Sequence, residues 1–223
     1  MTTTIPSSKL EKLVNRKILD DLAPLGFVKS QTGGSFCDRG DVYLFVGGLV
    51  QRIGGKNRIT PFGQIGFAAT NRIYFAFIEP GKPLRKATGE FQVEYRHFAG
   101  ERDAYIGCET EEELPQALDH VQDLILNRLL PCLEKHTDPK QVLQVYVTHD
   151  EHQKNSLGLI GAYDFSSALS GLILARLYGR EHYEPLKRRY KFFFEPLRPE
   201  TKEKALKLIA YLDHDPLPDL PDS

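Results

Sequence analysis

Cysteine is scarce in this sequence. Its three residues, Cys37, Cys108 and Cys132, are odd in number and widely spaced, with no C-x-x-C pair. That argues against disulfides and leaves free thiols in a reducing compartment as the expectation. Long apolar runs are missing as well: no stretch approaches the roughly 20 residues of a membrane span, and Met1 to Ser8 is polar. Neither a spanning helix nor a secretory leader is read, and a cytoplasmic location is expected. Net charge is nearly absent at −1, which removes any global pull toward nucleic acid or membrane. The G-x-x-x-x-G-K-[ST] phosphate loop, H-E-x-x-H and G-x-S-x-G do not occur either.

What remains is an ordinary globular composition. The 223 residues, 41% hydrophobic and 26% charged, are enough for one large domain or a domain with a helical appendage, and too apolar for a disordered chain. Charge is uneven along the chain. From Arg39 to Arg102 there are ten Lys or Arg against five Asp or Glu, and from Glu109 to Gln153 three against ten. We read these as a basic sheet region and acidic helices that partly neutralise one another.

Four runs are rich in β-branched and aromatic residues between Gly, Pro or Asn: Asp41–Val46, Gln64–Thr70, Arg72–Ile78 and Glu90–Arg96. They predict an antiparallel sheet. Gly47-Gly48 predicts a bulge or bend, and the basic stretch around Gly54-Gly55 a long hairpin tip, with Lys82, Arg85 and Lys86 adding cations further on. Ahead of the sheet, Ser8-x-x-Glu11 fits a capping box, and Leu10, Leu13, Val14, Ile18, Leu22 and Leu25 recur at helical spacing. The turn Leu25-Gly26-Phe27 follows, then a hairpin around Thr32-Gly33-Gly34. Behind the sheet, Thr110-x-x-Glu113 opens a helix that Pro131 should interrupt, and Asp138-Pro139 opens another. Leu157 to Gly179, Glu181 to Phe194 and Pro199 to Leu212 read as a helical C-terminal part.

Over residues 8–80, the N-terminal amphipathic helix, Leu25-Gly26-Phe27, a short strand pair carrying Phe36, and Asp41-Val-Tyr-Leu-Phe-Val46 together resemble the bacterial domain of unknown function numbered 4304. The resemblance implies an α+β fold and lends no activity or site. The expected architecture is α+β: an antiparallel sheet packed by N-terminal and central helices in residues 1–137, a helical subdomain in 138–212, and a disordered tail in 213–223.

Few clusters carry chemistry. His149-Asp-Glu-His152 places two histidines at i, i+3, but no third ligand is identifiable, and it reads as a solvated loop rather than a metal site. Cys132 falls on an apolar stripe and reads as core. Ser166, Ser167 and Ser170 lack a nucleophile-elbow context. In Lys187–Phe194 the aromatics Tyr190, Phe193 and Phe194 should face inward while Lys187, Arg188 and Lys191 face out. No catalytic residue, cofactor or metal is expected. The function expected is that of a non-enzymatic protein presenting a surface to a protein partner, with an immunity or antitoxin-like inhibitor as one form. The alternative is a nucleic-acid-binding factor or an enzyme using the basic sheet loops. The strands around Tyr43 and Tyr74 are apolar on both faces, so something must cover the second face; the C-terminal helices are the expected lid. If they do not serve, Tyr43, Phe45 and Tyr74, rimmed by Arg52, Lys56, Arg58 and Arg72, form an aromatic patch with a cationic border suited to an acidic partner.

Overall fold

The computed structural model describes residues 4–30, 33–80, 91–94, 98, 105–148 and 165–220. Leu10, Val14, Ile18 and Leu22 repeat every four residues and are buried along one stripe of helix α1 (Ser7–Leu22). Its start uses no capping box: Pro6 precedes the helix, and the Ser7 hydroxyl donates to the Asn57 side chain at 2.7 Å. After a turn closed by Gly26 at φ 86°, the chain enters strands β1 (Val28–Lys29), β2 (Ser35–Asp38), β3 (Val42–Ile53) and β4 (Lys56–Phe67).

Strands β3 and β4 form one long hairpin, paired without interruption from Val42↔Phe67 to Ile53↔Lys56. The expected hairpin tip shrinks to the two residues Gly54 and Gly55, both at positive φ, as a tight turn matching the strand twist requires. No bulge occurs at Gly47-Gly48. A Cβ on Gly48 would stand 2.5 Å from Val14 Cγ1, so the glycine lets α1 lie directly on the strand. Strands β5 (Phe91–Glu94) and β6 (Ile106–Gly107) pair with successive parts of β4, completing a six-stranded antiparallel sheet in the order β1-β2-β3-β4-β5, with β6 also on β4.

The predicted strand Arg72–Ile78 is instead helix α2 (Ala68–Phe77). Its residues are apolar nearly all round, and a short run of that kind fits a buried helix as well as a buried strand. Tertiary position decides: Ala68, Thr70, Asn71, Ile73, Tyr74 and Phe75 are all buried, wedged between β4 and the C-terminal helices.

Helix α3 (Leu114–Leu124) lies beside α1 on the same sheet face, with Gln122 Nε2 donating to Asp21 Oδ1 at 3.0 Å. Its capping box is half kept: Glu113 N–H donates to Thr110 Oγ1, while the Glu113 carboxylate accepts from Glu109 N–H. Pro131 has the expected effect. A π turn (Ile125–Leu129) precedes it, absorbing the missing N–H before α4 (Leu130–Lys135) continues. Asp138 then caps α5 (Pro139–Thr148) by accepting from Lys140 N–H at 2.9 Å.

Among the described residues, which leave out 157–164 of the expected lid, helices α6 (Phe165–Tyr178), α7 (Tyr183–Phe194) and α8 (Pro199–Asp213) do not lid the sheet. Their principal support in the rest of the fold is α2. Phe77 meets Tyr211 at 5.0 Å, and the Tyr74 hydroxyl donates to Ser166 Oγ at 3.1 Å. From Ile5 to Leu212 the buried apolar residues form one continuous core. In α7, Tyr190 and Phe194 face inward as expected, while Lys187 bonds Asp213 and Arg189 donates to the Tyr146 and Val147 carbonyls at the end of α5. Residues 213–220, expected to be disordered, are tied down instead: Arg176 bonds the Leu212 and His214 carbonyls, Asp215 pairs with Arg176 and Arg180, and Leu217 and Leu220 pack on the core.

Candidate functional site

Alternation along β3 and β4 sorts their side chains onto two faces. One face is closed by α1, α3, the π turn and α4. Leu44, Val46, Gly48 and Val50 of β3 stand there with Ile59, Gly63 and Ile65 of β4, and a Cβ on Gly63 would meet Leu129 Cδ2 and Leu133 Cδ1, each at 2.6 Å. The other face carries Phe36 of β2, Tyr43 and Phe45 of β3, and Phe62 of β4. Phe36 stacks on Tyr43 with ring centres 5.8 Å apart, and Phe45 lies 5.7 Å from Phe62. Gly47 sits between the last two rings, where an added Cβ would be 3.2 Å from both.

This open face also holds Val28, Leu49 and Ile53, at 60, 43 and 45% exposure. Among the described residues these are half of the six large hydrophobic side chains left substantially exposed, so apolar exposure is concentrated here rather than scattered. Toward β5 the face turns polar, with Gln64 donating to Gln92 at 2.8 Å and Gln92 to Glu94 at 2.7 Å.

The hairpin tip is basic. Arg52 and Lys56 are exposed, and Arg52 Nε donates to the Gly55 carbonyl at 3.2 Å. The Arg58 guanidinium lies 4.2 Å from the centre of the Tyr105 ring, and its Nε is buried without a hydrogen-bond partner. Behind the tip, on the α3 side, a cleft of about 480 Å³ is lined by Lys56, Tyr105, Cys108, Glu109, Glu113 and His120. Burial, followed by the charges of Glu113 and Glu109, pushes the Cys108 thiol above its ordinary value, so Cys108 holds its proton and is a poor nucleophile at neutral pH. Nearby, Asn57 is fully buried. Its amide donates to the Ile5 and Cys108 carbonyls, its oxygen accepts from Ser7, and its backbone N–H donates to the Glu109 carboxylate.

Of the residues predicted for a patch, Tyr43 and Phe45 lie together on the open face, and Arg52, Lys56 and Arg58 cluster at the tip. Tyr74 does not join them: it is 5% exposed on α2, bonded to Ser166. Arg72 is exposed on α2, beyond the far end of β4, roughly 36 Å from the tip at about 3.3 Å per strand residue. Both displacements follow from α2 being a helix. Phe36, Phe62, Val28, Leu49, Ile53 and Tyr105 were not predicted for the patch. Leu49 and Phe62 fall outside the runs read as strands, Asp41–Val46 and Gln64–Thr70; extending the alternation of the first past Gly47-Gly48, and of the second back from Gln64, finds them.

Other candidates resolve into packing. Cys132 is half-buried against the core, where burial raises its thiol. Ser170 is 6% exposed inside α6, and Ser166 is the acceptor for Tyr74. His97, Lys82, Arg85, Lys86 and the cluster His149–His152 lie outside the described residues. Among the described residues no group of three or more His, Cys, Asp or Glu could hold a metal ion, and no helix is long and apolar enough to cross a membrane.

The fold and face therefore define an α+β protein whose antiparallel sheet is covered by helices on one side. Compared with protein-family models, curated proteins and solved structures, the chain matches none.

Proposed function

We propose that this is a non-enzymatic binding protein that presents the open face of β2, β3 and β4 to a protein partner. One observation carries the reading: two ring pairs, Phe45–Phe62 and Tyr43 on the buried Phe36, lie beside the exposed Val28, Leu49 and Ile53 on the side of the sheet that α1, α3 and α4 leave uncovered. Aromatic anchors ringed by polar and cationic groups are the usual make-up of an interface core and rim. The basic tip of Arg52, Lys56 and Arg58 favours an acidic protein surface, and an immunity or antitoxin-like inhibitor is one form such a protein takes. Membership of the 4304 domain family, proposed from residues 8–80, adds an α+β fold and no site.

Photo-cross-linking in an extract of the native host tests the reading. A cross-linker at Leu49 is expected to capture a discrete protein that the Leu49→Asp chain fails to compete away, and one at the more exposed Leu206 of α8 is expected not to. Equal capture at both positions would overturn the reading. So would binding only to generic DNA or RNA with a steep salt dependence, which would shift the face to nucleic-acid recognition through its aromatics and tip cations.

A further inference from the structure

Beyond whatever the open face binds, we propose that the chain forms a reversible two-fold dimer by pairing the outer edge of β3, at residues 50–52, with the same edge of a second copy. Free backbone groups carry the argument. Past Val46, the last of its residues paired with β2, strand β3 runs on to Ile53 with β4 on one side and no strand among the described residues on the other. Gly48 shows which way this backbone faces. Its N–H donates to the Asn15 side-chain oxygen and its carbonyl accepts from the Asn15 amide, both at 3.0 Å, so both groups point away from β4. That direction alternates along an antiparallel strand. Val50 and Arg52 therefore also turn their N–H and C=O groups outward, and none of the described residues bonds them. Such an edge is a template for another strand, and is usually blunted by charge, Pro or a bulge. In residues 47–53 the pairing with β4 has no bulge, and the single charged residue is Arg52, whose Nε folds back on the Gly55 carbonyl at 3.2 Å.

The free groups also select the register. Asn15 already holds Gly48, and Gly54 lies in the turn, so Val50 and Arg52 are what remains to pair. A two-fold axis at Gln51 sets Val50 opposite the second copy's Arg52 and Arg52 opposite its Val50, and satisfies the outward groups of both. The same register sets Gln51 opposite Gln51 and Leu49 opposite the second copy's Ile53. Leu49 and Ile53 are 43 and 45% exposed on the open face. In the dimer they become direct neighbours in the closer, non-hydrogen-bonded kind of cross-strand pair. Another extended segment would satisfy the backbone groups but brings no fixed match for these two side chains. A second copy does, and such self-complementarity is what an isologous contact requires. Opposed residues of paired strands share a face, so the two open faces join side by side and the dimer widens that surface rather than covering it. Residues 49–53 form a strip about 16 Å long at about 3.3 Å per residue. That falls well short of the roughly 800 Å² per partner of a standard stable interface, so the dimer is weak and reversible.

Disulfide trapping on the purified full chain tests the register. Gln51→Cys lies on the axis, in a pair whose Cα atoms are about 4.5 Å apart, and is expected to form a covalent dimer under mild oxidation more than about tenfold faster than wild type or Arg52→Cys, whose two copies stand beyond disulfide reach. Leu49→Cys and Ile53→Cys should each cross-link slowly alone and rapidly when mixed. Sedimentation equilibrium tests the association itself, with circular dichroism checking that each variant is folded. The wild type is expected to shift reversibly, with rising concentration, toward twice its 25.3 kDa mass. Arg52→Ala keeps the outward N–H and should shift likewise. Arg52→Pro removes that N–H while sparing the ladder to β4, and should stay monomeric. Gln51→Cys that cross-links no faster than Arg52→Cys overturns the proposal, whether or not Arg52→Pro folds. So does a wild type that remains monomeric at its highest soluble concentration, or a folded Arg52→Pro that dimerises like Arg52→Ala. A photo-cross-link from Leu49 to the chain itself belongs to this dimer. If the chain is monomeric while Leu49 captures a different host protein, this inference falls and the binding reading stands.

Discussion

The same two strands build both faces of the sheet, yet the faces obey different rules. On the closed face, small and branched residues are fitted to particular helix atoms: Gly48 to Val14, and Gly63 to Leu129 and Leu133. Leu44, Val46, Ile59 and Ile65 there have no accessible surface. On the open face the residues are larger and aromatic, and the rings of neighbouring strands pack mainly on one another, with Leu49 and Ile53 left in solvent. Helix packing specifies one face residue by residue; the other is apolar beyond what folding requires.

Replacing one leucine on each face gives the largest contrast. Leu44→Ala is expected to cost about 3 kcal/mol in denaturant unfolding, the transfer loss plus a cavity beneath α1. Leu49→Ala should cost far less, about 0.5 kcal/mol, since nearly half of its surface is in water already. Equal costs would show that the open face is also core.

Asn57→Ala is expected to cost about 2 kcal/mol, because it strands the buried Ile5 and Cys108 carbonyls while leaving the open face untouched. A smaller effect belongs to Asn15 of α1, whose amide accepts from Gly48 N–H and donates to the Gly48 carbonyl, both at 3.0 Å. Counting alternate pairs back from the two-residue turn, Gly48 directs these groups away from β4, past the end of β2, where no strand among the described residues meets them. Asn15→Ala is therefore expected to cost about 1 kcal/mol and to loosen α1 in hydrogen exchange. Thiol labelling sharpens the contrast with no expected loss of stability. A cysteine at Leu49→Cys should react readily at neutral pH, whereas Cys108, unexposed and with its thiol pushed up, should react slowly, its rate still rising at a pH where that of the Leu49→Cys thiol has levelled off.

Legibility followed the same divide. Leu10, Val14, Ile18 and Leu22 disclosed α1 because a stripe buried against one surface must repeat at the helical period, and Val42–Val46 disclosed β3. The segment Arg72–Ile78 did not disclose α2, because a helix packed on several sides keeps no polar stripe to mark its period. Gly47-Gly48 was readable as special but not as closely approached, since a bulge and a packed helix make the same demand on sequence. Tyr43 and Phe45 of the candidate face were found by alternation. Tyr74 and Arg72 were lost with the misread helix.

The fastening at Asn57 also sets an order of events during synthesis. Ile5 N–H donates to the Glu109 carbonyl, Thr4 bridges Thr110, and Lys9 pairs with Glu111, so the N-terminal end of α1 is secured by residues about a hundred positions later. At about 5–20 residues per second, a nascent chain makes α1 roughly 5 to 20 s before it makes that fastening. Through this interval α1 can rest on β3 but cannot be locked. The slow closing contacts are those of highest sequence separation, and folding of this unit is expected to finish at the strap joining α1 to the later-made segment 109–111.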